Sequence, residues 1–211
     1  MKFAQMSFDA FIQELASESP APGGGSAAAM AGAMAAALCA MVSRLTVGKE
    51  KYREAWAGME EVKREADALA PRLLGLADED TAAFRAVMSA RRLPRGTDAE
   101  RAARERAIRE AVLKSAEVPL ETLKSARSIA RLAAAAAERG NPNCITDAGT
   151  AAQMARAAAM AAAYNVRVNL PGVADSGLRA RIASETSDAL EEVRQAVERL
   201  ERAVESRLEE A

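Results

Sequence analysis

Two carboxylates and a scatter of amides are the residues of this chain best suited to chemistry. In Leu76-Ala77-Asp78-Glu79-Asp80-Thr81-Ala82-Ala83-Phe84, Asp80 stands four residues from both Leu76 and Phe84. On a helix it shares their apolar stripe, while Asp78 and Glu79 turn away. A carboxylate on an inward face is unfavourable unless it is paired or its pKa rises, and a raised pKa is what a general acid or base needs. The same position also suits a cap that opens a new helical segment after Gly75. Asp147 presents a similar choice at the start of a later helix, where the helix dipole favours negative charge. Beside it, Asn141 and Asn143 offer the paired donors and acceptors that a flat polar heterocycle would use. Asn165 and Asn169 recur after a helix long enough either to return them to the same end or to lay them across a partner subunit.

Two loops frame these residues: Pro20-Ala-Pro-Gly-Gly-Gly-Ser26 and Gly140-Asn-Pro-Asn-Cys-Ile-Thr-Asp-Ala-Gly149. Each sets flexible backbone just ahead of an Ala-rich helix, whose first N–H groups lack partners and can receive an anion or a polar ligand. Ordinary N-terminal capping by Ser26 and Asp147 accounts for each loop taken singly. Lys49, Lys51, Tyr52 and Arg53 follow the first Ala-rich helix, where they could receive an anionic tail or form a solvated turn. The chain has no histidine and two cysteines, Cys39 and Cys144. Without imidazole, acid–base work falls to Asp, Glu, Lys, Tyr or Cys, and no metal site or metal cofactor is expected. Cys39 suits a buried small hydrophobe, whereas Cys144 could touch a ligand without acting as nucleophile.

The elements that must position these groups are helical. Ser7 can cap a first helix carrying Phe8, Phe11, Ile12 and Leu15. An Ala-rich helix is expected from Ser26 to about Val47, with Ala28, Gly32 and Ala36 as a small-residue ridge for close packing. A third runs from Tyr52 to about Ala90, where Pro71 is expected to kink or break it. Thr97 and Glu100 make a capping box for a fourth, which runs to about Arg139 and is interrupted by Pro119. A fifth spans about 146–165, with 166–170 able to unwind. The last, 178–208, carries Leu190, Val193, Val197, Leu200, Val204 and Leu208 in steps of three and four, a coiled-coil-like seam.

Composition agrees with this reading. Aromatics make up 3% of 211 residues and alanine dominates the apolar half, which favours close-packed helices over a strand-built core. A single all-α domain over 1–211 is expected, a helical bundle with long, Pro-interrupted helices. A formal net charge of −1 with interleaved signs offers no basic face to nucleic acid. The uncharged stretch 21–43 is long enough to cross a bilayer, but its Ala, Gly and Met content favours a buried central helix. No membrane association and a cytoplasmic location are therefore expected.

At these residues the chain resembles the cyclodeaminase domain of the formiminotransferase-cyclodeaminase family, whose free-standing relatives include methenyltetrahydrofolate cyclohydrolases. The likeness covers nearly the whole chain. It rests on Pro20 to Ala29, Gly48-Lys49 with Lys51-Tyr52, Asp78 to Phe84, Val118-Pro119-Leu120, Gly140-Asn141 with Asn143 and Asp147, and Asn165-Val166 with Asn169. The chain departs from the pattern at Thr146, where serine is expected, and at Thr150, where a small β-branched hydrophobe is.

The resemblance implies an all-helical homodimer with a tetrahydrofolate site at or near the subunit contact and no cofactor beyond the folate substrate. It implies one of two reactions: closure of 5-formiminotetrahydrofolate to 5,10-methenyltetrahydrofolate with loss of ammonia, or hydrolysis of that methenyl bridge. It points to Asp80 as the proton shuttle and Asp147 as its support or the pterin's orienter. Asn141, Asn143 and Asn169 would form the polar edge, Gly23, Gly24, Gly25 and Ser26 the close-approach loop, and Lys49 and Lys51 would meet the glutamate carboxylates. A cyclodeaminase would need a separate formiminotransferase to supply its substrate. The alternatives are a helical dimerisation module or a folate-binding protein that keeps the fold without turnover.

Overall fold

A computed structural model describes residues 3–209, and among them there are helices and turns but no strand. Six α-helices follow in order: α1 (Phe8–Leu15), α2 (Gly24–Arg44), α3 (Trp56–Arg91), α4 (Asp98–Arg139), α5 (Ile145–Asn169) and α6 (Ser176–Glu209). Short 3-10 turns link them. The Ser7 hydroxyl accepts from the Ala10 N–H at the start of α1, and Thr97 and Glu100 form the reciprocal capping box of α4.

Helix α2 is the central rod, packed on α3, α4 and α5. Small side chains make this possible. A Cβ at Gly32 would lie 3.2 and 3.3 Å from the Leu73 methyls and 3.7 Å from Ala158, so α2 sits close against both α3 and α5. Ala28 and Ala36 on the same ridge are buried, as are Ala151, Ala155, Ala158 and Ala162 of α5. Helix α2 is the one described helix long and apolar enough to cross a membrane, and most of that window is buried within the bundle. The C-terminal seam also faces inward: Val193, Val197 and Leu200 are buried against α4 and α5 of their own chain, while Leu208 is exposed.

Several boundaries differ from those expected. Helix α2 opens at Gly24, with Gly23 as a cap that lends no side chain, and α5 stays helical through Asn169 rather than unwinding at 166. Neither interior proline ends its helix. Pro71 and Asp67 lie on the solvent face of α3, so the Asp67 carbonyl that loses its donor can be hydrated. Pro119 is buried, which leaves the Ser115 carbonyl without its helical partner inside the protein. The side-chain amide of Asn169 fills that place, with Nδ2 2.9 Å from the Ser115 oxygen.

Helix lengths then create a slot. Helix α3 runs antiparallel to α2 and continues from Asp80, level with Gly25, to Arg91, about 16 Å further. Helix α5 passes Gly24 at Asn165 and continues to Asn169. Because α2 begins late, the space between these overrunning ends is closed below only by the Gly-rich loop.

Candidate active site

The slot has a volume of about 380 Å³, within the range of small-molecule sites. Its floor is Gly23, Gly24, Gly25 and Asp80; Ser115, Asn165, Val168 and Asn169 form one wall, and Phe84, Val87, Met88 and Arg91 the other. A larger hollow of about 760 Å³ lies beyond Pro22 and Thr81. Two carboxylates line it, Glu14 of α1 and Asp78 of α3, and Asp78 already accepts the Phe3 N–H at 2.8 Å and ties the N-terminal segment to α3. Glu79 is also engaged, paired with Arg72 at the surface. Of the three consecutive acids Asp78, Glu79 and Asp80, Asp80 is the one with chemistry open to it.

Asp80 does not cap a new segment, because α3 runs unbroken through Gly75. It stands deep within α3 and faces the start of α2. A Cβ at Gly25 would fall 2.2 Å from Asp80 Oδ1, so only glycine leaves room for this carboxylate. Burial pushes its pKa above the usual aspartate value, opposed by hydrogen bonds from the Ser26 hydroxyl and backbone N–H. Burial is the larger effect, which moves the group toward the range where it can both take and give a proton.

Ser26 is fully buried and suits either protonation state of Asp80. Its Oγ lies 3.0 Å from Asp80 Oδ2, 3.0 Å from the Ala77 carbonyl and 3.1 Å from Thr81 Oγ1. A hydroxyl has one hydrogen and can accept others. With Asp80 ionised, Ser26 donates to the carboxylate; with Asp80 protonated, the acid donates to Ser26, which turns its hydrogen to Ala77. Proton uptake therefore requires only a hydroxyl rotation.

The amide wall presents acceptors. Asn169 Nδ2 donates to the carbonyls of Ser115 and Asn165, both at 2.9 Å, and Asn165 Nδ2 donates to Ala161 at 2.9 Å. Both Asn169 amide hydrogens and one of Asn165's are engaged, so the wall offers a ligand two carbonyl oxygens and one Asn165 N–H.

The other expected site residues gather elsewhere. Gly48, with φ of 82°, turns the chain after α2 and sends Lys49 and Lys51 toward the start of α5. There Asn141 Oδ1 accepts from the Tyr52 hydroxyl at 2.7 Å and from the Asn143 N–H at 3.1 Å, while its own N–H donates to Thr46 Oγ1 at 2.8 Å. Its Nδ2 also reaches the Leu45 carbonyl at 3.3 Å. Asn141 is 6% exposed and holds two loops together. The Asp147 carboxylate acts on Cys144, whose thiol pKa is raised first by burial and then by that charge, against an opposing effect of Lys49. Cys39, deep in α2, is pushed up to about 12 by burial. Neither thiol is disposed to ionise at neutral pH.

The structure thus brings Gly23, Gly24, Gly25, Ser26, Asp80 and Asn169 together. Lys49, Lys51, Asn141, Asn143 and Asp147 lie at the opposite end of α2, about 30 Å away. Arg91 was not among the expected site residues, although its spacing from Asp80 through Phe84, Val87 and Met88 keeps to one helical face.

Among the described residues the architecture is an all-helical bundle with a half-buried acid over a glycine-rich helix start, a candidate small-molecule site without imidazole. A family model described as formiminotransferase-cyclodeaminase matches residues 7–188, and the chain belongs to that family. It is 42% identical over 200 residues to the methenyltetrahydrofolate cyclohydrolase of Methylorubrum extorquens, covering 95% of this chain and 96% of that protein. It is 33% identical to the formimidoyltransferase-cyclodeaminase of Sus scrofa, over 87% of this chain but only 34% of that protein. The crystal structure of formiminotetrahydrofolate cyclodeaminase from Thermotoga maritima superposes with a TM-score of 0.87 at 27% identity, covering 96% of this chain and 98% of that one.

Proposed function

We propose that this protein is a folate one-carbon enzyme that hydrolyses the bridge of 5,10-methenyltetrahydrofolate. The observation that carries the reading is the raised carboxyl of Asp80, held by Ser26 at the floor of an amide-walled slot. The likeness to a cyclohydrolase over nearly the full length of both chains supports the choice of reaction. In that reaction water adds to the methenyl carbon while Asp80 takes up one of its protons, giving a tetrahedral carbon between N5 and N10. The C–N5 bond then breaks, N5 receives a proton from Asp80, and the second water proton is released as the formyl group forms on N10. The acceptor wall of Asn165 and Asn169 suits the donor edge of a pterin ring.

A second reading, closure of 5-formiminotetrahydrofolate with loss of ammonia, is favoured by the structural likeness to a cyclodeaminase of similar extent. It uses the same carbon and the same proton shuttle in the opposite sense, and it calls for a separate formiminotransferase as the source of substrate.

The subunit is proposed to act as a cytoplasmic homodimer. Met30, Met34, Leu38, Met41 and Leu45 form an uncharged stripe along the outer face of α2, with Met34 40% and Leu45 39% exposed. Tyr164 of α5 adds a further apolar side chain, 59% exposed. An apolar face of this extent on one element favours self-association. In an antiparallel dimer the cluster of Lys49, Lys51, Asn143 and Asp147 meets the slot of the other subunit, and the partner subunit's Asp147 can support Asp80.

The test follows the near-ultraviolet band of the methenyl bridge from both substrates in parallel. Enzyme-dependent loss of the band from 5,10-methenyltetrahydrofolate supports hydrolysis. Its growth from 5-formiminotetrahydrofolate, with ammonia release, selects the second reading, and no change in either with folded protein refutes both.

A further inference from the structure

Asp80 accounts for the floor of the slot but not for its length. From Asp80 the wall continues on one face of α3 through Phe84, Val87 and Met88 to Arg91, the last residue of the helix. Phe84 and Met88 are 38% and 37% exposed, and Val168 across the slot is 74% exposed. Large apolar groups thus line an open channel, capped at the rim by a guanidinium. Arg91 is the one cation among the slot-lining residues, and its side chain has no carboxylate partner among the described residues. The Arg91 backbone carbonyl, by contrast, is occupied by Arg104. Helical side chains lean toward the helix N-terminus, which for Arg91 is the direction that runs along the slot toward Asp80.

The order of groups from floor to rim is therefore acid, apolar wall, cation. A ligand that matches it has a polar reacting ring, an aromatic spacer and a terminal carboxylate. On the folate reading above, we propose that Arg91 is the carboxylate anchor of the slot: it receives the glutamate carboxylate while Phe84, Val87, Met88 and Val168 hold the p-aminobenzoyl ring. The guanidinium fork suits a carboxylate through two parallel hydrogen bonds. Within a subunit this assigns to Arg91 the role the sequence suggested for Lys49 or Lys51, which lie at the far end of α2.

A guanidinium in the last turn also complements the helix dipole, so the test needs a readout that a structural role would leave unmoved. Steady-state hydrolysis is measured for 5,10-methenyltetrahydrofolate and for the corresponding 5,10-methenyltetrahydropteroyl amide, whose benzoyl group ends in a neutral carboxamide in place of the glutamate. The wild type is expected to favour the glutamylated substrate by about tenfold or more in kcat/KM, the size of one charge-assisted contact. Arg91→Ala should bring kcat/KM for the glutamylated substrate down to that of the neutral amide, chiefly through KM, with any loss of the helix-dipole contribution confined to the urea midpoint. Arg91→Lys should restore part of the preference, as a point charge without the fork.

Equal loss on both substrates, or no loss on either, overturns the anchor while leaving the folate reading in place. If folded wild-type protein neither turns over nor binds a folate, the underlying reading fails and the anchor fails with it.

Discussion

Gly25 ties the fold to the chemistry most tightly, and its replacement by alanine separates the two. The new Cβ would sit 2.2 Å from Asp80 Oδ1, 2.5 Å from Cγ and 2.7 Å from Oδ2. The backbone itself tolerates alanine, since Gly48 is the described glycine with positive φ. Relief comes when the Asp80 carboxylate turns away from Ser26. Overpacking of this kind costs about 1–3 kcal/mol, and the low end applies because the obstacle is a side-chain terminus rather than backbone. Alanine's helix preference over glycine offsets up to about 1 kcal/mol. Net stability should therefore change by no more than about 1 kcal/mol.

Activity should behave otherwise. Misplacing a reacting group by an ångström costs about a hundredfold, so Gly25→Ala should lose about that factor in kcat. Gly75→Ala is the control: its Cβ would meet nothing within 4 Å, and Gly75 does not line the slot. It should keep its activity and gain slightly in stability. Urea unfolding and methenyl hydrolysis on the two variants decide the matter. Turnover of Gly25→Ala within about threefold of wild type, or an equal fall in both variants, would refute the placement of Asp80 as proton carrier.

The remaining predictions concern Ser26 and Asn169. Because burial raises the Asp80 pKa, native stability falls as pH rises from the ordinary carboxylate value through the raised one, and Asp80→Asn should abolish that fall. Where the ionised form is the base, kcat/KM rises with pH over the same window. Ser26→Ala removes a hydrogen bond that lowers the pKa, so a pH–rate profile should show this limb displaced to higher pH. Asn169→Ala leaves the Ser115 carbonyl without a donor and should destabilise by about 1–3 kcal/mol. In a Pro119→Ala background the new backbone N–H serves that carbonyl, so a double-mutant cycle by urea unfolding should show a much smaller loss.

How much of this was legible beforehand depended on whether the deciding physics was local. Asp80 could be set on an apolar stripe because helical spacing from Leu76 to Phe84 is a property of nine consecutive residues. The caps at Ser7 and Thr97 were legible for the same reason. Pro119 misled because its interruption is repaired from another helix, by Asn169, which no local pattern shows. The two amide groups resembled one another in sequence, yet the lengths of α2 and α5 place Asn141 and Asn169 at opposite ends of the bundle. The bonds of Asn141 to Tyr52, Thr46 and Asn143 join segments far apart in the chain and were likewise not legible from local pattern. Arg91 was hidden among the charged residues that end α3, although its register with Asp80 was present in the same local spacing.

Asp80→Asn tests the proposed chemistry most directly. The amide keeps the shape and can still accept from Ser26, but it cannot carry a proton at neutral pH. Hydrolysis of 5,10-methenyltetrahydrofolate is measured beside the binding of 5-formyltetrahydrofolate by the same preparation. The variant should be folded, bind the folate within about tenfold of wild type, and lose about 10²–10⁴-fold in kcat, the usual contribution of a positioned acid or base. A folded Asp80→Asn protein that hydrolyses the bridge at the wild-type rate would contradict the assignment of Asp80 as the proton shuttle.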